Sequence, residues 1–502
     1  MRRLPEPPLA LIVFVVGLGI LGAEIAAARL LAPYFGASTI VWANTIGIVL
    51  VALSIGYWYG GRLADRNPTR EGLYRIVLLA GVLLSVIPFV ADPFLGVAVE
   101  ALDAISAGAF VGSLLGVVVL VATPVLVSGA VAPYALRLAV ADVSEAGTVS
   151  GRLYAISTVG SLLGTFTSAL VLIPLIGTRR TFIVYGLALV AIAVYGLAKR
   201  RLLLVPALLA VALVIPFGTI KGETEAGARV IHETDTEYQY ARVVERADGT
   251  RLLELNEGQA VHSLRRPNSY LTDNIWDDYM IVTFAAQDAP PARIAILGNA
   301  AGTTARAYGH YFPNTKIDGV EIDGELTEIG RRYFDMRSPG LTTHTADARP
   351  FLRRTKKRYD AIFVDAYRQP YIPFYLATRE FFELARDRLA PGGVVVVNAG
   401  HPEGSQDLEK VLGATMASVF PTVVRDPSQR VNTLLLGTSG DASAQRLRAN
   451  ASSLPPDLQP LAIAAAGRVE PRLPGGRVYT DDIAPVEWLI DSSIVSFAAG
   501  EG

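Results

Sequence analysis

The chain has 502 residues, no cysteine, 51% hydrophobic and 18% charged residues, and a formal net charge of −1. The absence of cysteine excludes disulfides, thiolate metal sites and cysteine nucleophiles. The five histidines include no closely spaced pair such as HxxxH, so a zinc enzyme is not expected and no metal site is predicted. A chain of this length predicts about three domains at roughly 150 residues each.

Charged residues are concentrated in the second part of the chain. Residues 1–220 contain 14 Lys/Arg and 9 Asp/Glu, whereas residues 221–502 contain 31 and 37. The sparsely charged part has the composition of a membrane domain, and the other part has that of a soluble protein. The soluble part has a net charge of −6. This argues against a nucleic-acid partner, because binding to phosphates requires a basic surface.

Seven apolar segments in residues 1–220 approach or reach the roughly 20 residues that a helix needs to cross a bilayer core. They predict a multi-span α-helical membrane bundle embedded in a lipid bilayer. The last segment is short and contains Pro206 and Pro216. The segments are 9–31, 39–60, 73–91, 109–135, 153–176, 182–198 and 202–216.

The basic residues of the short connections predict the orientation of this bundle. Successive groups of Arg and Lys, from Arg2 and Arg3 to Lys199, are separated by two spans each. The positive-inside rule therefore places these groups and the N-terminus in the cytoplasm. Seven spans would then place the soluble part outside the cell. Three alternatives stay open: 202–216 lies in the interface, 93–107 forms an extra short span, or the soluble part is external.

After residue 220 the pattern changes to short strands. A small β-domain is predicted over 221–290, with Asp248-Gly249 as a type I′ hairpin turn between two of its strands. The predicted strands are 230–234, 238–245, 251–255 and 260–263.

From residue 293 strands and helices alternate, which is typical of a doubly wound, largely parallel sheet. We therefore predict a Rossmann-like domain over 291–502. Within it, residues 439–475, rich in Ala, Ser and Pro, are predicted to be a linker or a loosely held excursion. The predicted elements are strands 293–297, 316–321, 359–365 and 394–398 and helices 303–311, 324–334 and 378–389.

Glycines and carboxylates follow the predicted strands of this domain. Gly298 and Gly302 lie in the loop after the first strand, where glycine lets the backbone turn sharply and a nucleoside approach the next helix. Glu321 ends the second strand, where a carboxylate can accept both ribose hydroxyls. Asp347 could receive an adenine amino group, and Asp365 closes an apolar strand over the same crevice. Together these residues predict a nucleoside site.

The surroundings of these residues favour an adenosyl-sulfonium compound over a dinucleotide. A dehydrogenase is expected to have a full GxGxxG loop and a His/Lys pair at the hydride site, and the sequence has neither. The Pro391-Gly392-Gly393 turn that leads into the next strand is similar to that of S-adenosylmethionine-dependent enzymes. This resemblance implies that the Rossmann-like domain is of the S-adenosylmethionine methyltransferase type.

Several short motifs then point to one family. In the soluble part they are Tyr238-Gln239, the Gly298 to Gly302 loop, Val320-Glu321-Ile322-Asp323, Asp347-Ala348, Asp365 with a Pro-containing loop, and Phe381-Phe382. In the membrane part and at the C-terminus they include Glu24, Arg29, Gly60-Gly61-Arg62-Leu63-Ala64-Asp65, Leu172-Ile173-Pro174 and Tyr479-Thr480-Asp481-Asp482. With these motifs the chain resembles the spermidine synthases, or polyamine aminopropyltransferases, in a version fused to a membrane domain.

This resemblance implies roles for individual residues. Gln239, Glu321, Asp347 and Ala348 would bind the adenosyl group, and Asp365 would be the general base. Aminopropyl transfer is an in-line displacement at a carbon beside a sulfonium, so the leaving group needs no acid while the attacking amine must lose a proton. A carboxylate beside a protonated amine can both bind it and accept that proton.

The sequence also departs from the family pattern at the site of the acceptor amine. Soluble members have an aspartate in a GGGDGG loop and a second one three residues after the catalytic aspartate, where this chain has Asn299-Ala300-Ala301 and Arg368-Gln369. Four other carboxylates are therefore predicted as substitute ligands of the amine: Asp277, Asp278, Asp481 and Asp482. Pro373, in a loop that matches the family only approximately, is also predicted to bind the substrate.

The leading functional hypothesis is transfer of an aminopropyl group from decarboxylated S-adenosylmethionine, as a co-substrate, to a diamine such as putrescine. The products would be spermidine and methylthioadenosine, with no tightly bound cofactor. Two alternatives stay open: a methyltransferase on the same scaffold, and a transporter whose soluble domain senses polyamine or nucleoside. The resemblance allows a homodimer. Because the donor nucleoside is made in the cytoplasm, we predict a multi-pass cell-membrane protein with a cytoplasmic catalytic domain.

Overall fold

The computed structural model describes residues 6–35, 39–103, 108–198, 200–214, 226–256, 261–367, 372–401, 403–486 and 489–490. The chain forms two compact units. One consists of Met1–Gly222 with Thr234–Tyr240, and the other of Glu223–Glu233 with Ala241–Gly502.

The first unit is built from apolar helices. Long apolar runs become helices in a bilayer because a helix satisfies its backbone hydrogen bonds internally. Two π-helical turns, Val118–Ala122 and Ser168–Leu172, each lie just before a proline, which has no N–H to donate. The helices are α1 Leu9–Phe35, α2 Thr39–Arg66, α3 Arg70–Asp103, α4 Gly108–Val117, α5 Thr123–Gly129, α6 Val131–Ala139, α7 Ala146–Thr167, α8 Ile173–Ile176, α9 Thr178–Leu197 and α10 Leu204–Val214.

Six stretches of the described residues are long and apolar enough to cross a membrane, which confirms the predicted multi-span bundle. The predicted seventh segment, 202–216, differs from them. Its described part contains α10, whose 11 residues extend roughly 16 Å, less than a core of about 30 Å. Residues 215 and 216 lie outside the described residues. The six stretches are Leu9–Ala32, Val41–Arg66, Arg70–Ala91, Val111–Ala139, Val143–Leu172 and Thr178–Leu197.

The described part of 93–107, the alternative extra span, does not form a helix of its own. Helix α3 continues without a break through Pro88 and Pro93 to Asp103. Residues 104–107 lie outside the described residues.

Small residues bring helices of this unit into close contact. A Cβ added to Gly160 or Gly164 of α7 would lie 2.2 or 2.1 Å from the carbonyl oxygens of Phe14 and Leu18 in α1. Ser168 donates its hydroxyl to the carbonyl of Gly22, 2.9 Å away. Glycine and serine at such contacts let the two backbones approach closely. Close van der Waals packing and hydrogen bonds then hold the helices together, because lipid provides no hydrophobic driving force for their association.

In the second unit, four short strands form an antiparallel meander in the order β1-β2-β3-β4. Each end of these four strands lies within two residues of the end predicted from the sequence. The strands are β1 Arg229–Asp235, β2 Tyr240–Glu245, β3 Arg251–Leu255 and β4 Val261–Arg265.

The turn between β2 and β3 is not the predicted type I′ turn. Among its residues only Gly249 has a positive φ, +80°, whereas a type I′ turn would require one at Asp248 as well. The amide of Gly249 donates to the carbonyl of Arg246, and the amide of Arg246 donates to that of Thr250. These bonds define a three-residue loop, a type I turn followed by a left-handed glycine, so the single glycine supplies the only unusual conformation needed.

The rest of the second unit contains an eight-stranded mixed sheet, in the order β12-β10-β11-β9-β8-β5-β6-β7. Strands β9, β8, β5, β6 and β7 are parallel, and β11, β10 and β12 extend the sheet with antiparallel pairs. The strands are β5 Arg293–Leu297, β6 Lys316–Glu321, β7 Leu341–Thr345, β8 Tyr359–Val364, β9 Leu389–Gly400, β10 Thr422–Gln429, β11 Asn432–Thr438 and β12 Glu470–Pro471. The helices are α11 Ile275–Asp278, α12 Thr303–Tyr311, α13 Gly324–Tyr333, α14 Ala348–Arg354, α15 Arg379–Arg386, α16 Asp407–Ala417, α17 Ala444–Asn450 and α18 Gln459–Ala465.

Both faces of the parallel strands are buried. On β8, Ala361 and Phe363 belong to the core on one face, and Ile362 and Val364 to the core on the other. This is why the strand is a continuous apolar run rather than an alternating one. The first polar side chain after that run, Asp365, is therefore placed at the carboxyl end of the sheet.

The predicted linker at 439–475 is instead part of the packed domain. Leu447 of α17 and Leu458 and Ala462 near α18 are fully buried in the core that also covers one face of the large sheet. Strand β12 pairs with β10. The prediction was wrong because alanine here fills close contacts between helices and the prolines lie in the short turns between them, so the same composition occurs in a packed segment.

Candidate active site

The loop after β5 has the conformation that a nucleoside site requires. Gly298 and Gly302 have φ of +90° and +84°, and Ala300 between them also has a positive φ. A Cβ on Gly298 would lie 2.5 Å from the carbonyl oxygen of Asp365, so only glycine fits where the two strand ends meet. The loop then leads directly into Thr303, the first residue of α12.

Glu321 lies at the end of β6 and faces this loop. One carboxylate oxygen accepts the amide of Ala300 at 2.9 Å, and the other accepts the amide of Asp323 at 3.0 Å. Burial raises the pKa of Glu321 to about 7, although both amides favour the charged form. Each oxygen keeps a second lone pair, so the carboxylate can still accept two further hydroxyls.

Asp347 and Ala348 lie on the neighbouring strand end, between β7 and α14. Strand β7 is paired with β6 in parallel, with Thr345 opposite Glu321. Asp347 caps α14 by accepting the amide of Arg349 at 3.0 Å and also accepts the hydroxyl of Tyr375 at 2.8 Å. The structure thus places the Glu321 and Asp347 carboxylates at the same edge of the sheet.

Asp365 follows β8, the strand on the other side of β5. Its amide donates to the carbonyl of Leu297 at 2.9 Å, which fixes it beside the Gly298 loop. The side-chain amide of Asn398 donates to one carboxylate oxygen at 2.9 Å, and the indole N–H of Trp276 also donates to the carboxylate. Burial raises the pKa of Asp365 to about 7, and these two donors act in the opposite direction.

Sequence reasoning missed the residues that support Asp365. Asn398 links the carboxylate to Asn432, whose amide donates to the Asn398 side-chain oxygen at 2.9 Å. Tyr367 donates its hydroxyl to the Asn398 carbonyl at 2.6 Å. Asn398 could have been found, because it is the first polar residue after an apolar strand, as Asp365 is. Trp276 gave no signal, because its approach depends on how α11 packs.

Gln239 lies in the Thr234–Tyr240 segment, which belongs to the first compact unit. The residue is buried, and both its amide and its carbonyl are hydrogen-bonded to the hydroxyl of Thr236. Its role in binding the adenosyl group stays a prediction.

Asp277 and Asp278 have hydrogen-bond partners within the protein. Asp277 accepts the amides of Thr272 and Asp273 and the hydroxyl of Thr272, so it organises the turn before α11. Asp278 is paired at 3.1 Å with Arg468. Burial raises the pKa of Asp278 to about 7. The binding of an amine by these two carboxylates stays a prediction.

The remaining candidates for the amine site differ in their contacts within the protein. Asp481 forms a bidentate pair with Arg349, at 2.7 and 2.6 Å, and accepts the hydroxyl of Thr378 at 2.8 Å. Asp482 is exposed, and Pro373 precedes the short helix Phe374–Leu376. Arg368 and Gln369, where the family pattern would have a second aspartate, lie outside the described residues. The structure therefore brings Gly298, Gly302, Glu321, Asp347, Ala348 and Asp365 to one edge of the sheet.

The topology and this edge define a Rossmann-like domain of the S-adenosylmethionine methyltransferase type. The spermine/spermidine synthase domain matches residues 277–448. A polyamine aminopropyltransferase of Vibrio vulnificus is 31% identical over 244 residues, which cover 47% of this chain and 80% of that protein. The chain therefore belongs to the spermine/spermidine synthase family.

Other similar proteins share less of their length or sequence with the chain. A probable polyamine aminopropyl transferase of Bifidobacterium longum is 36% identical over 190 residues, or 38% of this chain and 42% of that protein. The crystal structure of a probable spermidine synthase from Corynebacterium glutamicum has 22% identity and a TM-score of 0.41, covering 51% of this chain and 97% of its own. Human methyltransferase-like protein 13, in complex with SAH, has 19% identity and a TM-score of 0.32, covering 42% and 98%.

Proposed function

We propose that the protein is a membrane-bound aminopropyltransferase that uses decarboxylated S-adenosylmethionine and a diamine such as putrescine. The observation that carries this proposal is the position of Asp365. It is a half-buried carboxylate at the carboxyl end of β8, held by Asn398 and Trp276 beside the Gly298 loop. The family membership supports the same reaction.

In this reaction the amine nitrogen attacks the aminopropyl carbon attached to the sulfonium. A C–N bond forms, and the C–S bond breaks with its electron pair moving to sulfur. The sulfur leaves as the neutral thioether methylthioadenosine, so no acid is needed. The proton that the attacking ammonium must lose passes to the Asp365 carboxylate, which is the general base. The products are methylthioadenosine and the aminopropylated amine, spermidine when putrescine is the acceptor.

The remaining residues of the edge would hold the nucleoside part of the donor. The Glu321 carboxylate would accept the ribose hydroxyls, and Asp347 with Ala348 would contact the adenine. The glycines at 298 and 302 would let the nucleoside lie against the loop backbone. Fixed positions for both reactants reduce the entropy cost of bringing them together, which is a large part of the rate in such displacements.

A product assay tests the reaction class directly. The full-length protein in detergent or lipid is incubated with decarboxylated S-adenosylmethionine and 1,4-diaminobutane, and separately with S-adenosylmethionine and the same amine. We expect methylthioadenosine from the first mixture. Formation of S-adenosylhomocysteine in the second, without methylthioadenosine in the first, would show a methyltransferase instead. Neither product with a panel of amines would contradict both activities.

The rate is expected to rise with pH through about 7. The pKa of Asp365 is raised to about 7, so the carboxyl is protonated below that pH and cannot accept the proton of the amine. Initial rates at limiting amine and saturating donor, from pH 5.5 to 8.5, give the profile. Saturating donor separates this titration from that of Glu321, which affects donor binding. A rate that stays constant or falls across this range would exclude Asp365 as the base.

The membrane unit suggests where the reaction takes place. Six full spans and a cytoplasmic N-terminus would return the chain to the cytoplasm, where the donor is made. The lipid bilayer is then the surroundings of residues 1–220, and the catalytic domain is cytoplasmic. Protease added to right-side-out vesicles should leave the C-terminal domain intact, and digest it in inverted vesicles. Digestion in the right-side-out vesicles would place the domain outside.

A further inference from the structure

A carboxylate of the membrane unit has no partner among the residues that the structure describes. Glu24, in α1, is 9% exposed and makes no hydrogen bond or ion pair with any of them. It lies eight residues, roughly 12 Å, from the C-terminal end of the span Leu9–Ala32, so it is within the hydrocarbon core. An ionisable side chain at this depth is costly, and it usually marks the path of an ion or a substrate.

The nearest basic residue in the sequence does not neutralise Glu24. Arg29 follows it by five residues, which places the two side chains roughly 140° apart around α1. One nitrogen of the Arg29 guanidinium donates instead to the carbonyl of Thr236, at 2.6 Å. A carboxylate buried without a cationic partner is stable only when it holds a proton or binds a cation from outside the chain.

Glu24 faces the line along which α1 meets α7 and α4. Residues seven apart in a helix lie about 20° apart around its axis. Seven residues before Glu24, a Cβ on Gly17 would lie 3.1 Å from the hydroxyl of Ser161 in α7. Seven residues after it, the side chain of Leu31 lies 2.8 Å from the position of a Cβ on Gly116 in α4. We call this side of α1, from residue 13 to residue 31, the Glu24 face.

The Glu24 face continues toward the N-terminal end of α1 with hydroxyl groups and a cavity. The hydroxyl of Ser161 donates to the carbonyl of Gly17 at 3.3 Å. Val13, about three turns before Glu24, lines a small cavity between α1, α6 and α7. Ser157 of α7 lines the same cavity. Polar groups and open space therefore lie along this face, on one side of the carboxylate.

Helix α7 is interrupted at the level of Glu24. Contacts between α1 and α7 keep a constant offset along the two helices, so the helices run in parallel: Phe14 with Gly160, Leu18 with Gly164 and Gly22 with Ser168. The same offset places Glu24 level with Leu170, inside the π-helical turn Ser168–Leu172. Pro174 has no N–H for the carbonyl of Leu170, four residues earlier. In transporters, helices interrupted in this way bind cations through backbone carbonyls.

The groups around Glu24 suit an alkylammonium better than a metal ion. Hard metal ions are bound by about six oxygen ligands. Among the described residues, no three His, Cys, Asp or Glu side chains lie close enough together to hold one. An alkylammonium has one charge and three N–H groups, which a carboxylate and neighbouring hydroxyl or carbonyl oxygens can accept. Its methylene chain suits the apolar side chains of the Glu24 face, such as the buried Val13 and Leu31.

We propose that Glu24 binds an alkylammonium ion within the bilayer, and that the membrane unit carries amines across it in exchange for protons. The unloaded carboxyl holds a proton, so it is neutral. An ammonium that binds displaces this proton, and the carboxylate that remains balances its charge. The amines of the aminopropyl transfer proposed above are alkylammonium ions and would be ligands of this kind, but the exchange does not depend on Asp365.

Uptake into vesicles tests the transport step. The full-length protein is reconstituted, without any aminopropyl donor, into vesicles that are acidic inside. Uptake of radiolabelled 1,4-diaminobutane is measured, and the uptake of protein-free vesicles is subtracted because it reports diffusion of the uncharged amine. The wild-type protein should accumulate the amine. Glu24→Gln should lower the uptake rate about 10- to 100-fold, the effect of losing a charged hydrogen-bond partner.

Two measurements show whether Glu24→Gln is correctly folded. Its thermal midpoint should equal or exceed that of the wild type, because the replaced carboxyl has no protein partner. Its formation of methylthioadenosine should stay within about twofold of the wild-type rate.

Glu71→Gln is the matched control for the uptake measurement. Glu71 is exposed in the first turn of α3, where it is paired with Arg75 at 2.7 Å. This variant should take up the amine at the wild-type rate.

Chemical labelling tests the binding site itself. Dicyclohexylcarbodiimide is an apolar reagent that enters the bilayer and converts a protonated carboxyl to an N-acylurea. Peptide mapping by mass spectrometry should find the adduct at Glu24 in the wild type and none there in Glu24→Gln. Addition of 1,4-diaminobutane should slow the labelling. Its fully N-methylated analogue, which has the same charge but no N–H, should not slow it.

The outcomes separate this proposal from the aminopropyl transfer. Equal uptake in the wild type and Glu24→Gln, or no uptake in either, would overturn the transport role. Labelling that 1,4-diaminobutane does not slow would show a carboxyl that holds only a proton, and equal protection by the N-methylated analogue would exclude recognition of the ammonium; either result overturns the site. If uptake depends on Glu24 but the wild type forms no methylthioadenosine, this proposal stands and the proposed function fails.

Discussion

An Asp365→Asn protein is expected to lose about 10²- to 10⁴-fold in kcat, the usual contribution of a positioned general base. Asparagine has nearly the same shape and can still accept the hydrogen bond from Asn398, but it cannot take the proton of the ammonium. Donor binding should be retained, because the ribose and adenine contacts are assigned to Glu321 and Asp347. Methylthioadenosine formation gives the rate, and equilibrium binding of methylthioadenosine tests the nucleoside site.

Stability provides an independent check on the same variant. The pKa of Asp365 is raised in the folded protein, to about 7, so folding favours the protonated carboxyl. This stabilisation is present at low pH and is lost as the pH rises from the unfolded pKa of about 4 through 7. The thermal midpoint of Asp365→Asn relative to wild type should therefore increase between pH 5 and pH 8.

Asp360→Asn is the matched control for this experiment. Asp360 lies on the same strand at the opposite edge of the sheet, where it accepts the amide of Arg293 at 2.8 Å. Its replacement should leave the rate within about twofold, because no reacting atom is close. Full activity in Asp365→Asn would remove the general-base role. If that variant also still moved polyamine across vesicles, the transporter hypothesis would gain support.

Much of the fold could be predicted because its local signals agree with its packing. The strands at 293–297 and 316–321 and the helix at 303–311 have the predicted bounds. For the strand at 293–297, an apolar run buried on both faces leaves little choice of structure. Strand β7, Leu341–Thr345, was missed because it lies at the edge of the sheet and is only half-buried. Its polar sequence carries too little hydrophobic pattern to predict a strand.

The candidate site was predictable where it depends on strand ends, and not where it depends on packing. Glu321 and Asp365 each follow an apolar strand, and parallel strands bring such ends to one edge. Trp276 donates to Asp365 only because of how α11 packs in the domain, and no feature of the local sequence shows that. The same limit applies to Asp481, whose partner Arg349 is 132 residues away.

Glu321→Gln is expected to weaken donor binding about 100-fold. The carboxylate can accept both ribose hydroxyls in charge-assisted hydrogen bonds, whereas glutamine offers one acceptor and turns a donor toward the other hydroxyl. Losing one of these bonds and the charge behind the other in a buried site costs about 3 kcal/mol, which corresponds to that change in Kd. Calorimetric titration with methylthioadenosine measures the effect at pH 8, where the wild-type carboxylate is charged.

The pH dependence of binding distinguishes a ribose ligand from a loop-stabilising residue. Because burial raises the pKa of Glu321 to about 7, wild-type affinity should increase from pH 6 to pH 8, and Glu321→Gln should lose this dependence. The Glu321 oxygens also accept the amides of Ala300 and Asp323, so a variant that binds weakly only because its loop is disordered would unfold earlier as well. Glu328→Gln, on the exposed face of α13, should match wild type in both measurements. Unchanged affinity in Glu321→Gln would mean that the ribose is held elsewhere, and that the buried carboxylate serves only to join the β5 and β6 strand ends.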